Sequence, residues 1–219
     1  MPESKVKKVL YFIIFLIVGL SLSGCLTCER KEYTFQLTGV NSGKLTIKYV
    51  NIFSSLIDST GELSDDYDEM VNLWLKGEKL EKDFPHAINF KKRLFAEDGV
   101  LCGEVIMEFD DLSKVNLYRF QDTGPYMFSL SGVNDDGETF LQTNGEFGGE
   151  KMPVIFWNED VQSLRFSTKI AEPDTSCVSM LQQWETKQEA YQKRDLKELL
   201  TFPEWQEMKE AIQNKVKLF

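Results

Sequence analysis

The sequence predicts an α+β fold: an antiparallel sheet of about eight strands, helices on one side of it, and a helical C-terminal segment. Three observations predict it. Apolar and polar residues alternate with period two in run after run. Short connections rich in Gly, Asn and Asp join those runs, as antiparallel neighbours require. Near Cys177 the chain turns Gln/Glu/Lys-rich, and its apolar residues take helical spacing.

The first element is a hairpin. Tyr33, Phe35 and Leu37 alternate with Thr34, Gln36 and Thr38, and Leu45, Ile47 and Tyr49 alternate after the Gly39-Val40-Asn41-Ser42-Gly43 loop. A helix follows. Ser64 is its expected N-cap, Asp65, Asp66, Asp68 and Glu69 suit the positive end, and Gly77 is the expected stop. Met70, Val71, Trp74 and Leu75 form its apolar stripe. The carboxylates need no metal ion to explain them, because the helix dipole attracts acids there.

A second hairpin runs from Ile88 to Phe109 around Asp98-Gly99, with Gly103 in register between Leu101 and Val105. Asp110 to Val115 opens a short helical turn, so hairpin–helix occurs twice, at 33–76 and 88–120. Tyr126, Phe128 and Leu130 alternate next, and Asn134-Asp135-Asp136-Gly137 reverses the chain. Phe140–Phe147 returns it, Pro153–Trp157 reads as a buried strand, and Leu164, Phe166, Thr168 and Ile170 alternate once more. Ser179 to Leu200 reads as helix up to Pro203. Thr201 and Glu204 then have capping-box spacing, ahead of a stripe of Trp205, Met208, Ile212, Val216 and Phe219. That stripe covers either the protein's own sheet or a partner's groove.

The N-terminus carries a different kind of signal. Lys5, Lys7 and Lys8 precede an apolar run from Val9 to Leu22, which is too short for the ~20 residues of a membrane-spanning helix. The run closes on Leu22-Ser23-Gly24-Cys25. This resembles the signal of bacterial lipoproteins, which implies cleavage between Gly24 and Cys25 and a lipid on the Cys25 thiol. Two or more acyl chains give stable anchoring, at about 0.8 kcal/mol per buried methylene. Leu26 after the cysteine is not acidic, which by the same resemblance implies the outer membrane rather than the inner one. The expected organisation is a removed signal at 1–24, a lipidated tether at 25–32, an α+β domain at 33–175 and a helical segment at 176–219. Gly99–Val115, a strand ending in Phe-Asp-Asp-Leu-Ser-Lys-Val, also resembles exported lipoproteins of the LppM-like kind, and the chain after residue 24 resembles uncharacterised bacterial lipoproteins with a strand similar to Leu101-Cys102-Gly103-Glu104; neither resemblance supplies an active site.

The 219-residue chain has a net charge of −10, and residues 1–24 contribute +2, so the remainder stands near −12. That balance, with no basic stripe, argues against nucleic acid as a partner. Cys25 and Cys28 form a C-x-x-C, but the lipid claims Cys25. Cys102 and Cys177 could close a loop of roughly 75 residues, contributing about 4 kcal/mol; free buried thiols are the alternative.

Catalytic patterns are scarce. His86 is the one histidine, in a loop after Phe84-Pro85, which excludes a two-histidine zinc site. No Gly-x-Ser-x-Gly elbow or mature Ser-x-x-Lys accompanies it. Gly145–Glu150 lacks the Gly-Lys-Ser/Thr of a P-loop, and the Asn134–Glu138 turn fails the EF-hand spacing at its twelfth position. No cofactor or metal is expected. The expectation is therefore a non-catalytic envelope lipoprotein, held to the membrane by acylated Cys25 and meeting an envelope protein through its C-terminal amphipathic helix. The alternatives are an envelope hydrolase working through paired carboxylates, which need perturbed environments, and a carrier of apolar ligands, which needs a large apolar cavity.

Overall fold

The computed structural model describes residues 26–55, 60–121, 123–131 and 137–199. Gly24, Cys25, the 132–136 part of the expected turn and the amphipathic stripe beyond 200 lie outside the described residues.

The chain forms an antiparallel, sheet-rich fold with few helices. The large sheet contains β1 (Leu26–Leu37), β2 (Gly43–Ser54), β3 (Ile88–Glu97), β4 (Val100–Phe109), β7 (Thr139–Thr143), β10 (Ser163–Lys169) and β11 (Val178–Ser179). Its order is β3-β4-β2-β1-β10-β7, with β11 beside the far end of β2. A second sheet, in the order β5-β6-β9-β8, contains β5 (Leu117–Arg119), β6 (Tyr126–Ser129), β8 (Glu146–Phe147) and β9 (Val154–Trp157). The helices are α1 (Thr60–Glu69), running directly into a π-helical turn at Met70–Leu75, then α2 (Lys79–Asp83) and α3 (Leu181–Leu199).

Both hairpins form where turn chemistry demands them. Asp98 and Gly99 take φ of 51° and 78°, the left-handed pair that a two-residue hairpin needs. Leu37 pairs with Gly43 across the first loop. The turn after β4 is a 3₁₀ segment at Leu112–Val115; Asp111 accepts from the Ser113 N–H at 2.8 Å, and Asn116 ends the turn in the left-handed region.

One face of the large sheet is charged and the other is covered, as antiparallel sheets permit. The charged face carries Lys44–Glu108 at 3.5 Å, Arg93–Glu104 at 2.6 Å, and Lys48 against both Glu32 and Glu97. The covered face presents Tyr33, Phe35, Leu45, Ile47, Met107 and Phe166 to Leu117, Phe128, Ile155 and Trp157 of the second sheet. Aromatic rings join the layers: Phe128 lies 4.7 Å from Phe166 and 5.8 Å from Phe35, and Tyr33 stacks on Phe166 at 4.4 Å. A second apolar cluster brings Cys28, Ile52 and Leu101 of the sheet against Tyr67 and Met70 of the first helical region and Met180 before α3.

Four expectations need correction. The single sheet of about eight strands is two sheets with eleven strands among the described residues, because the short central strands pair with one another rather than extending the first sheet. The expected tether at 25–32 is the first half of β1, pairing from Leu26↔Ser54 onward; its charged stretch Glu29–Glu32 hid the alternation. The helix begins at Thr60, so Ser64 lies inside it rather than at its N-cap. Asp66 does not serve the helix end either: it is buried and accepts from the Ser54 hydroxyl, fastening α1 to β2. Finally, the boundary at 176 is not a division. β11 pairs with β2, Met180 is fully buried, and Leu181 and Trp184 pack on the second apolar cluster.

Candidate functional site

The second sheet covers one part of the inner face and the helices cover another. Between them two cavities remain, of about 320 Å³ and 560 Å³. Lys31, Tyr49, Asp83 and Glu138 line both. The two cavities therefore share a polar wall, a waist between them, and the smaller one is otherwise mainly apolar. Their sizes fall in the range of ligand sites, roughly 300–1,000 Å³.

The waist is built by strand register. Lys31 occupies the inner face of β1, two residues before Tyr33, where the alternation would place an apolar side chain. Opposite it on β10 stands Thr168, and Glu138 precedes β7, the next strand out. Glu138 is only 3% exposed and accepts from three side chains. They are Lys31 Nζ, the Tyr33 hydroxyl at 3.2 Å and 3.4 Å, and Thr168 Oγ1 at 2.5 Å. Lys31 Nζ also lies 5.6 Å from the Tyr49 ring centre. A carboxylate with both oxygens occupied by donors and a cation is a satisfied structural group.

Burial sets the protonation of the neighbours. It pushes the Tyr33 phenol well above its ordinary value, and the Glu138 charge pushes it further. Tyr49 moves the same way, through burial first and then through the negative charges of Asp83 and Glu138. Burial drives the Cys28 thiol up to about 12, with Lys31 pulling against it. Tyr33, Tyr49 and Cys28 therefore keep their protons at neutral pH. Cys28 is a packed thiol rather than a nucleophile.

The smaller cavity has a distinct wall. The π-helical turn brings Met70, Trp74 and Leu75 to it, α2 adds Leu80, and the sheet adds Leu26, Ile52 and Leu94. Gly103 forms part of its floor. A Cβ there would lie 3.2 Å from Ile52 Cδ1 and 3.5 Å from Leu94 Cδ2, so the missing side chain leaves space. Lys92 binds Glu81 at 2.7 Å and the Gly77 carbonyl at 2.5 Å, fastening α2 and the end of the π turn to β3. The Trp74 Nε1 is buried and has no hydrogen-bond partner among the described residues, while Lys79 Nζ sits 4.1 Å from the ring centre.

Most residues singled out from the sequence lie apart from this cleft. Cys28, Cys102 and Cys177 are all free, so the Cys102–Cys177 bridge is not formed: Cys102 is buried within β4, and Cys177 stands in the turn before β11, hydrogen-bonded to Asp174. His86 is exposed in the loop between α2 and β3. The Gly145 loop packs beneath Trp157, whose Nε1 donates to Asn144 Oδ1 at 2.8 Å. Among the described residues no group of three His, Cys, Asp or Glu is placed to hold a metal, and no helix is long and apolar enough to cross a membrane. Sequence reasoning missed Lys31 and Glu138. Extending the Tyr33/Phe35/Leu37 alternation backwards would have placed Lys31 on the covered face; nothing local distinguishes Glu138 from the other acids of its turn. No family model, curated protein or solved structure matches the chain.

Proposed function

We propose that this chain is a lipid-anchored, non-catalytic module of a bacterial cell envelope, held by an acylated Cys25 and binding another envelope component in the cleft between its sheets and helices. The observation that carries this reading is the cleft itself, whose carboxylate at the waist is neutralised from within. Its smaller cavity is lined by Leu26, Thr27 and Cys28, the residues that follow Cys25. With Cys25 acylated, the cleft stands beside the bilayer, because consecutive Cα atoms are only about 3.8 Å apart. Leu26 favours outer-membrane sorting where an outer membrane exists. The apolar residues Trp205, Met208, Ile212, Val216 and Phe219, spaced in sequence as one stripe, are the proposed contact for an envelope protein.

The apolar-ligand carrier is the alternative that a specific feature favours, namely the apolar walls of the smaller cavity. The hydrolase has weaker support, because Glu138 is saturated and Glu104 is paired with Arg93.

The test is to label cells with an alkyne analogue of palmitate and compare the full chain with a Cys25→Ala variant. Label on the wild type, lost in the variant together with membrane retention, supports the anchor. An unlabelled wild-type chain overturns it. Mass spectrometry of what co-purifies from solubilised envelopes then identifies the bound component.

A further inference from the structure

We infer that the smaller cavity holds the acyl chain of an uncharged lipid-like molecule, whose ester or amide carbonyl accepts the indole N–H of Trp74. This deepens, and rests on, the reading of the chain as a binding module. The walls are the first reason: Leu26, Ile52, Met70, Leu75, Leu80 and Leu94 suit a hydrocarbon chain and little else. The floor is the second. Gly103 sits where the neighbouring inward residues of β4 are Leu101 and Val105, and its missing side chain keeps the cavity open.

The charges are the third reason. The ions whose side chains face this cavity are matched within the protein, Lys31 with Glu138 and Lys92 with Glu81. Lys79, over the Trp74 ring, is exposed and does not line the cavity, so a charged head group inside it would be desolvated without a free counter-charge among those pairs, which is costly. An uncharged head escapes that penalty. The fourth reason is Trp74 Nε1, a buried donor in the wall without an acceptor among the described residues. Such a donor costs stability until an acceptor arrives. A carbonyl near the end of an acyl chain provides one without adding charge. The π-helical turn that carries Trp74 fits this use, since such turns gather at functional sites.

The experiment uses the full chain in its own envelope membranes. A diazirine-bearing methyl ester of a long-chain fatty acid is added, irradiated, and its attachment mapped by peptide mass spectrometry. Attachment should concentrate on Leu26–Lys31, Met70–Leu75 and the peptide containing Leu94. Excess unlabelled methyl ester should displace it at concentrations about tenfold below those needed with the free fatty acid. Trp74→Phe should raise the competing ester concentration about tenfold, and Gly103→Leu should abolish attachment at these peptides. Diffuse attachment, unchanged by either variant, would overturn the assignment. So would equal displacement by the free acid, because the uncharged head would then be wrong. Should Gly103→Leu fail to fold, Trp74→Phe still decides. Palmitate labelling of Cys25 is read in the same membranes, so failure of the anchor and failure of the ligand site remain distinct.

Discussion

Lys31 shows how one side chain can be costly alone and quiet in company. It lies on the covered face of β1, and its ammonium meets Glu138. Replacing Lys31 by Met leaves a buried carboxylate with hydroxyl donors but no cation. Breaking such a pair costs about 3 kcal/mol. Removing both members, as in Lys31→Met with Glu138→Leu, should recover most of that loss, because an apolar pair of similar volume is often neutral. Urea unfolding of the two single variants and the double variant measures this. Additive losses would mean that the pair is not coupled. Lys31 was legible in principle, since its face follows from counting back from Tyr33. Glu138 was not, because its partners Tyr33 and Thr168 lie 105 and 30 residues away in sequence.

Among the elements, the hairpins were the most legible. Asp98-Gly99 states its own turn, and strands of matched alternation flank it. The helix was harder. Its acids look like an N-terminal cluster, yet Asp66 is engaged by a serine of β2, a contact no local rule supplies. Gly77 was read correctly as the end of the helical run, and the structure adds the reason. A Cβ there would lie 2.6 Å and 2.7 Å from the Asn72 and Leu73 carbonyl oxygens, in the last turn of the π segment. Gly77→Ala should therefore destabilise the domain by roughly 1–3 kcal/mol through overpacking against backbone, read as a lower thermal midpoint. An unchanged midpoint would show that the π turn relaxes freely. The split into two sheets was illegible because short strands such as Glu146–Phe147 carry no period.

At the scale of the whole molecule, buried protons tie stability to pH. The Cys28 thiol holds its proton to about 12 when folded, against an ordinary value of 9.0. Its contribution is fully present below pH 9 and is lost as pH rises from 9 toward 12, because over that window the unfolded chain ionises first. Tyr33 and Tyr49 are shifted in the same direction and add to the loss at the alkaline end. Unfolding free energies at pH 8 and pH 10.5 should show this decline, and Cys28→Ala should make it shallower. A flat profile would mean that the thiol is solvated in the native state.

The strand order also sets a timetable. β1 lies between β2 and β10, and while β2 follows it at once, Tyr33 must wait for Phe166. Until that late segment emerges, one edge of β1 offers its unpaired backbone to any other strand, and contacts between residues so distant in sequence form slowly. A chain delivered N-terminus first through a membrane would therefore spend its transit half-zipped. Safe arrival would then depend on a holding factor, or on speed, more than on the final stability of the sheet.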